Sequence, residues 1–101
     1  MDKNKMMKQL SRMQNELAKA QDELAQATVE GSAGGGAVRV AMTGSEVREV
    51  SIDPSAIDEE DPSLLEDLVR AAINEALRAQ QALTQERMGT LGAGIDIPGL
   101  G

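Results

Sequence analysis

The sequence predicts an α+β protein in which a long helix, a three-stranded antiparallel sheet and a second long helix follow one another along the chain. Three observations lead there. Apolar residues near the N-terminus recur with heptad spacing, the middle third alternates with period two around glycines, and a capped apolar stripe at helical spacing returns after Asp61. The expected boundaries are one domain over 1–88, with a helix at 2–27, a β-meander at 28–53, a helix at 61–88 and a glycine-rich flexible tail at 89–101.

The first helix rests on Met6, Leu10, Met13, Leu17, Ala20, Leu24 and Ala27, which follow a 4-3-4-3-4-3 spacing. That is the a/d seam of a coiled coil. The seam suits either a partner helix or a sheet. With Leu10 at position a, the residues Lys5, Lys8, Arg12, Asn15 and Lys19 fall at c and f, forming one polar stripe opposite the seam. From Lys5 to Lys19 the stripe runs ~21 Å at ~1.5 Å per residue. It reads either as a solvated face or as a track for phosphates, which recur every ~3.4 Å along a DNA strand.

The sheet is read from short alternating runs. Thr28 to Ser32 suits a first strand, and Glu30-Gly31-Ser32-Ala33-Gly34-Gly35-Gly36 places a glycine run against it. Glycine next to a strand marks a bulge or a close approach of another backbone. Val38, Val40 and Met42 alternate with Arg39, Ala41 and Thr43, and Gly44-Ser45 offers a turn. Val50 and Ile52 alternate with Glu49 and Ser51 before Asp53-Pro54 ends the strand. Val47 is out of phase with Val50, so either a bulge intervenes or Val47 faces the other way.

The last helix is expected to start at Asp61, a good N-cap, followed by Pro62 at the first helical position, where its missing N–H is not needed. The acids at 58–61 suit the positive end of the helix dipole. Four consecutive acids do not converge as metal ligands must, so no metal site is expected. Leu64, Leu65, Leu68, Val69, Ala72, Ile73, Ala76 and Leu77 form the apolar stripe, narrowing to Leu83 and Met88 before Gly89.

Composition narrows the function classes. Of 101 residues none is aromatic, cysteine or histidine, while Leu, Ile and Val number 21. That apolar content stands just above the ~20% level below which chains tend not to fold. Self-association is the expected remedy, and the chain reads as an obligate dimer. Without Cys or His there are no disulfides, no thiol nucleophile, no imidazole base and no Cys/His zinc site. No membrane span or signal-peptide core is visible, which suggests a cytoplasmic address.

Net charge is −7 and is unevenly spread. Residues 1–20 hold Lys3, Lys5, Lys8, Arg12 and Lys19 against Asp2 and Glu16, whereas residues 53–67 hold seven acids and no base. Any polyanion site must therefore lie at the N-terminal end. No lysine follows Gly36, so there is no phosphate-binding loop, and Arg39 stands where a dinucleotide fingerprint needs its third glycine. These readings leave no catalytic residue, cofactor or small-molecule substrate to expect. Lacking aromatic stacking platforms, any nucleic-acid contact should be to duplex, through phosphates, with little sequence information.

The residues that point to a lineage are spread over nearly the whole chain. They are Met6-Met7-Lys8-Gln9-Leu10 with Met13-Gln14, the glycine block, Val50-Ser51-Ile52-Asp53-Pro54, Leu65-Glu66-Asp67-Leu68-Val69 with Ala72-Ile73-Asn74-Glu75-Ala76, and Ile97-Pro98-Gly99-Leu100. Together they resemble the YbaB/EbfC family of bacterial nucleoid-associated proteins. The resemblance implies an α-β-β-β-α protomer in a tweezer-like homodimer that binds double-stranded DNA, organises the nucleoid and influences gene expression. It places the DNA contacts on the helical arms, here Lys5, Lys8, Arg12 and Lys19, with Arg78 and Arg87 as weaker candidates. The seam residues Met6, Leu10, Met13, Leu17 and Leu24, with Gly34, Gly35 and Gly36, are expected to serve the core or the dimer contact. A rival reading is a dimeric protein-interaction module for replication or recombination machinery, in which the acidic segment 53–67 and the apolar tail meet a protein.

Overall fold

The computed structural model describes residues 2–93. The chain runs α1 (Lys3–Gln26), β1 (Thr28–Ala33), β2 (Val38–Thr43), β3 (Glu46–Ile52), a short 3-10 turn (Pro54–Ala56) and α2 (Pro62–Ala93). This is the α-β-β-β-α order the sequence predicts. α1 opens at Asp2, whose carboxylate accepts a hydrogen bond from the Asn4 N–H at 3.1 Å and so satisfies one of the helix's unpaired donors. It ends where Ala27 turns extended and leads directly into β1. α2 begins at Pro62, where the Ser63 hydroxyl donates to Asp61. It continues to Ala93, past the Gly89 at which sequence pattern alone would end it. One glycine in an exposed helix lowers stability by about 1 kcal/mol without breaking the helix. The rest of the expected tail, 94–101, lies outside the described residues.

The sheet is an antiparallel meander in the order β1-β2-β3. Its register places Val29, Gly31 and Ala33 opposite Met42, Val40 and Val38. On the other side, Val38 faces Ile52, Val40 faces Val50, and Met42 faces Val47. A register shift between Ala41 and Met42 leaves Arg48 as the extra residue. The Val47 phase problem is thus resolved by a bulge, which brings Val47 onto the same face as Val50 and Ile52.

α2 lies across β1 and β2 on this face. The core is Val38, Val40, Met42, Ala72 and Ala76, flanked by Val29, Ala33, Leu65, Leu68, Val69 and Ile73. Val38 and Val40 are fully buried, which stabilises the fold by about 1.5–3 kcal/mol for each side chain. The close approach the glycines foreshadowed is made by Gly31: a Cβ there would collide with the Ala72 carbonyl oxygen. Gly34, Gly35 and Gly36 instead form the β1–β2 loop with φ of 65°, 67° and 92°, a left-handed path that other residues adopt at a penalty.

All seven residues of β3 are exposed. Its apolar row Val47, Val50 and Ile52 continues the core face of β2 beyond the cover that α2 provides. Glu75 of α2 shares a shallow polar cleft with Glu30 and Ser32 at the outer edge of β1. The opposite flank of α2, carrying Val69, Ile73 and Leu77, therefore turns toward β3. The result is an apolar face of the sheet without a partner in the single chain.

Candidate nucleic-acid interface

The helices carry the molecule well beyond its sheet. The principal extents are 73 × 27 × 15 Å, and the radius of gyration is 20.2 Å against about 13 Å for a compact chain of this length. α1 and the second half of α2 run out together as an arm. Two contacts fix its root. The Gln80 amide donates to the Gly44 carbonyl in the β2–β3 turn, and the Arg87 guanidinium meets Glu23 at 3.0 Å. Gly44, with φ 60°, lets the Ala25 backbone approach so closely that a Cβ would lie 2.8 Å from its oxygen. The arm is thereby anchored to the sheet through backbone geometry and a side-chain amide.

On α1, Lys5, Lys8, Arg12 and Lys19 are all exposed on one face, where Lys8, Arg12 and Lys19 line a shallow groove with Asn4, Ser11 and Asn15. None of these four bases is in an ion pair among the described residues. Their heads are thus unengaged along ~21 Å of helix. Glu16 is the one acid lining the groove. The acidic segment lies apart, around the 3-10 turn and the start of α2, with Ile57 and Leu64 exposed among its carboxylates. There the Ser55 N–H donates to Asp53 at 2.9 Å and holds that carboxyl below its ordinary pKa.

The two weaker candidates on α2 differ from each other. Arg78 is exposed and makes no ion pair among the described residues, whereas Arg87 is tied to Glu23 across the arm. The seam divides as well. Ala20 is buried and Leu24 half-buried where α1 meets α2, but Met6, Leu10, Met13 and Leu17 remain 43–54% exposed. The structure brings Lys5, Lys8, Arg12 and Lys19 together on one face and keeps Gly34–Gly36 in a hairpin loop at the sheet end. The Gln80–Gly44 anchor had no legible sequence signal, because it joins residues 36 positions apart that only the folded sheet and helix bring together.

Residues 1–95 match the YbaB/EbfC DNA-binding family. The chain belongs to that family. Proteins named nucleoid-associated protein are similar over nearly its full length. One from Desulforamulus reducens is 48% identical over 96% of this chain and 93% of its own. One from Staphylococcus carnosus is 55% identical over 94% of this chain and 91% of its own, and one from Pseudomonas fluorescens is 50% identical over 92% and 87%. The fold is that of an uncharacterized Helicobacter pylori protein, with a TM-score of 0.64 at 23% identity, covering 93% of this chain and 96% of the other. This YbaB/EbfC family member carries Lys3, Lys5, Lys8, Arg12 and Lys19, half of its ten Lys and Arg residues, on α1, while Arg39, Arg48 and Arg70 are exposed on and around the sheet. No described helix is long and apolar enough to cross a membrane.

Proposed function

We propose that this protein is a homodimeric nucleoid-associated protein that grips double-stranded DNA between basic arms, mainly through phosphates and with little sequence preference. The observation that carries this reading is the unpaired stripe Lys5, Lys8, Arg12 and Lys19 along α1. Point charges on flexible stems suit phosphates, which position a protein without reporting base identity. The acids at 53–67 sit on a different part of the chain, and exposed charges farther apart than ~8 Å are largely screened at physiological salt. Nucleoid location, organisation of the chromosome and influence on gene expression follow from such binding.

The dimer contact is assigned to the uncovered sheet face, where Val47, Val50 and Ile52 of β3 are exposed beyond the cover of α2. Contiguous apolar surface of this kind marks an interaction site. The acidic segment with exposed Ile57 and Leu64 supports a second reading, in which a basic protein is the main partner and DNA binding is weak.

Fluorescence anisotropy on a labelled duplex of about 30 bp, between about 50 and 200 mM salt, separates the two, because counterion release sets the salt slope. Affinity should fall steeply with salt, and replacing Lys5, Lys8, Arg12 and Lys19 by Gln should abolish binding while the dimer persists. Unchanged affinity in that variant rejects the DNA reading in favour of the protein partner.

A further inference from the structure

We infer that the outer half of the α1 seam is a second interface, which pairs antiparallel with α1 of another copy and so joins one dimer to the next. Met6, Leu10, Met13 and Leu17 keep the heptad spacing yet remain exposed, although the same seam closes on α2 at Ala20 and Leu24. An apolar row at 4-3-4 spacing fits between the residues of a like helix, as knobs into holes, better than it fits a flat sheet. The exposed part is ~16 Å long, about three helical turns.

The residues flanking the seam decide the occupant. Positions e and g on either side are Met7, Gln9, Gln14 and Glu16, with no Lys or Arg among them. A second α1 can therefore approach with no base at the positions beside the seam; Lys19, at the outward c position, comes level with the partner's Lys3 and Lys5. Antiparallel packing sets a against d, so Met6 meets the partner's Leu17 and Leu10 meets the partner's Met13, a symmetric set of four layers centred near Ser11 and Arg12. It places Gln9 across from Glu16, and Met7 across from Gln14, while Lys3, Lys5 and Lys8 of the two copies lie at opposite ends. A parallel pair would stack those bases side by side, which is unfavourable.

The bases lie at c and f, on the far side of the helix from the seam. Seam pairing and phosphate contact therefore do not compete. Two paired arms present basic stripes on opposite outer faces, which is the arrangement needed to hold two duplexes together. Four layers give a weak contact in free solution. Arms concentrated along neighbouring duplexes gain from a high effective concentration. The bridging consequence rests on the DNA reading above; the arm contact itself does not.

The chain has no cysteine, so disulfide trapping reports only introduced positions. Chains carrying Leu10→Cys are mixed with chains carrying Met13→Cys and oxidised without DNA, with Asn15→Cys, at the outward f position, as control. Both substituted seam residues are exposed, so folding is not at stake. The expected result is a disulfide between the two kinds of chain, formed at least about tenfold faster than the control, as disulfide geometry requires close, facing Cβ atoms. The oxidised species should elute at twice the size of the reduced dimer or larger, since each dimer carries two arms. No such disulfide, or one formed as fast as the control, overturns the proposal. A disulfide that leaves the dimer size unchanged also overturns it, because the seam would then be closed inside the first dimer. So does a disulfide that forms only after residues 94–101 are removed, since the chain's own C-terminal segment would be the occupant. On DNA, an immobilised duplex should retain a second, labelled duplex with the unmodified protein, and Leu10→Gln/Met13→Gln should lose that retention while single-duplex affinity holds. Absence of any duplex binding alongside a positive disulfide result would reject the DNA reading and leave the arm contact standing.

Discussion

Gly31 of β1 lies directly beneath Ala72 of α2, backbone against backbone, so that a Cβ on Gly31 would collide with both the Ala72 carbonyl oxygen and the Ala76 amide nitrogen. Neither contact can yield by a rotamer change. The helix can rest on the strand only because Gly31 has no side chain and Ala72 and Ala76 have small ones. That seat fixes where α2 crosses the sheet, and so where its second half leaves to join the arm.

Gly31→Ala should consequently lower stability by about 3 kcal/mol, at the upper end for overpacking a tight core, because two backbone groups must move. Gly35→Ala, in open space at φ 67°, should lose only about 1–2 kcal/mol from its left-handed backbone. Urea unfolding of the two variants measures the difference, and equal losses would show that the seat is softer than its geometry.

Arg12→Gln should weaken duplex binding and reduce the salt slope by about one for each arm that reaches the DNA. Arg87→Gln should change affinity less, since Arg87 is held by Glu23 across the arm. The ion pair is half exposed and should contribute no more than about 1 kcal/mol to stability. Paired titrations of the two variants give the ranking. A larger loss from Arg87→Gln would place the DNA on the α2 side of the arm.

Val50→Asp should convert the dimer to monomer with little loss of secondary structure, because Val50 is 45% exposed in the single chain and is not among the apolar residues packed against its core. Light scattering and circular dichroism on one sample report both quantities. An intact dimer would move the interface away from β3.

Asp53 gives a pH prediction. The Ser55 N–H holds its carboxyl below the ordinary value of 3.8, so the charged form is favoured in the folded state. The stabilisation is fully present above that value and fades as pH falls through the lowered folded pKa. Asp53→Ala should lower stability at neutral pH and flatten the stability curve at its acid end, as read from thermal unfolding between about pH 6 and pH 3. An unchanged acid limb would mean that other carboxylates set it.

Much of this protein is legible without its structure. The heptad of α1, the alternation of Val38, Val40 and Met42, and the Asp61-Pro62 start of α2 are local patterns, and period plus capping chemistry suffices to read them. The basic stripe is legible for the same reason, since one helix fixes which of its own residues share a face. Where contact across the chain decides, the sequence is silent or ambiguous. Val47 can be read onto either face until the bulge at Arg48 places it. The glycine run draws attention, yet the glycine that seats the helix is Gly31, while Gly34–Gly36 turn the hairpin.

By itself, then, the sequence determined the order of elements, the apolar face of each helix and the position of its bases, because these follow from spacing along one chain. The tertiary structure alone decided that α2 covers two strands and not three, that Arg87 is engaged while Arg12 is not, and that the seam closes only at its sheet end. Those outcomes depend on how closely two backbones can approach, at Gly31 against Ala72 and at Gly44 against Ala25, and no local pattern encodes that distance.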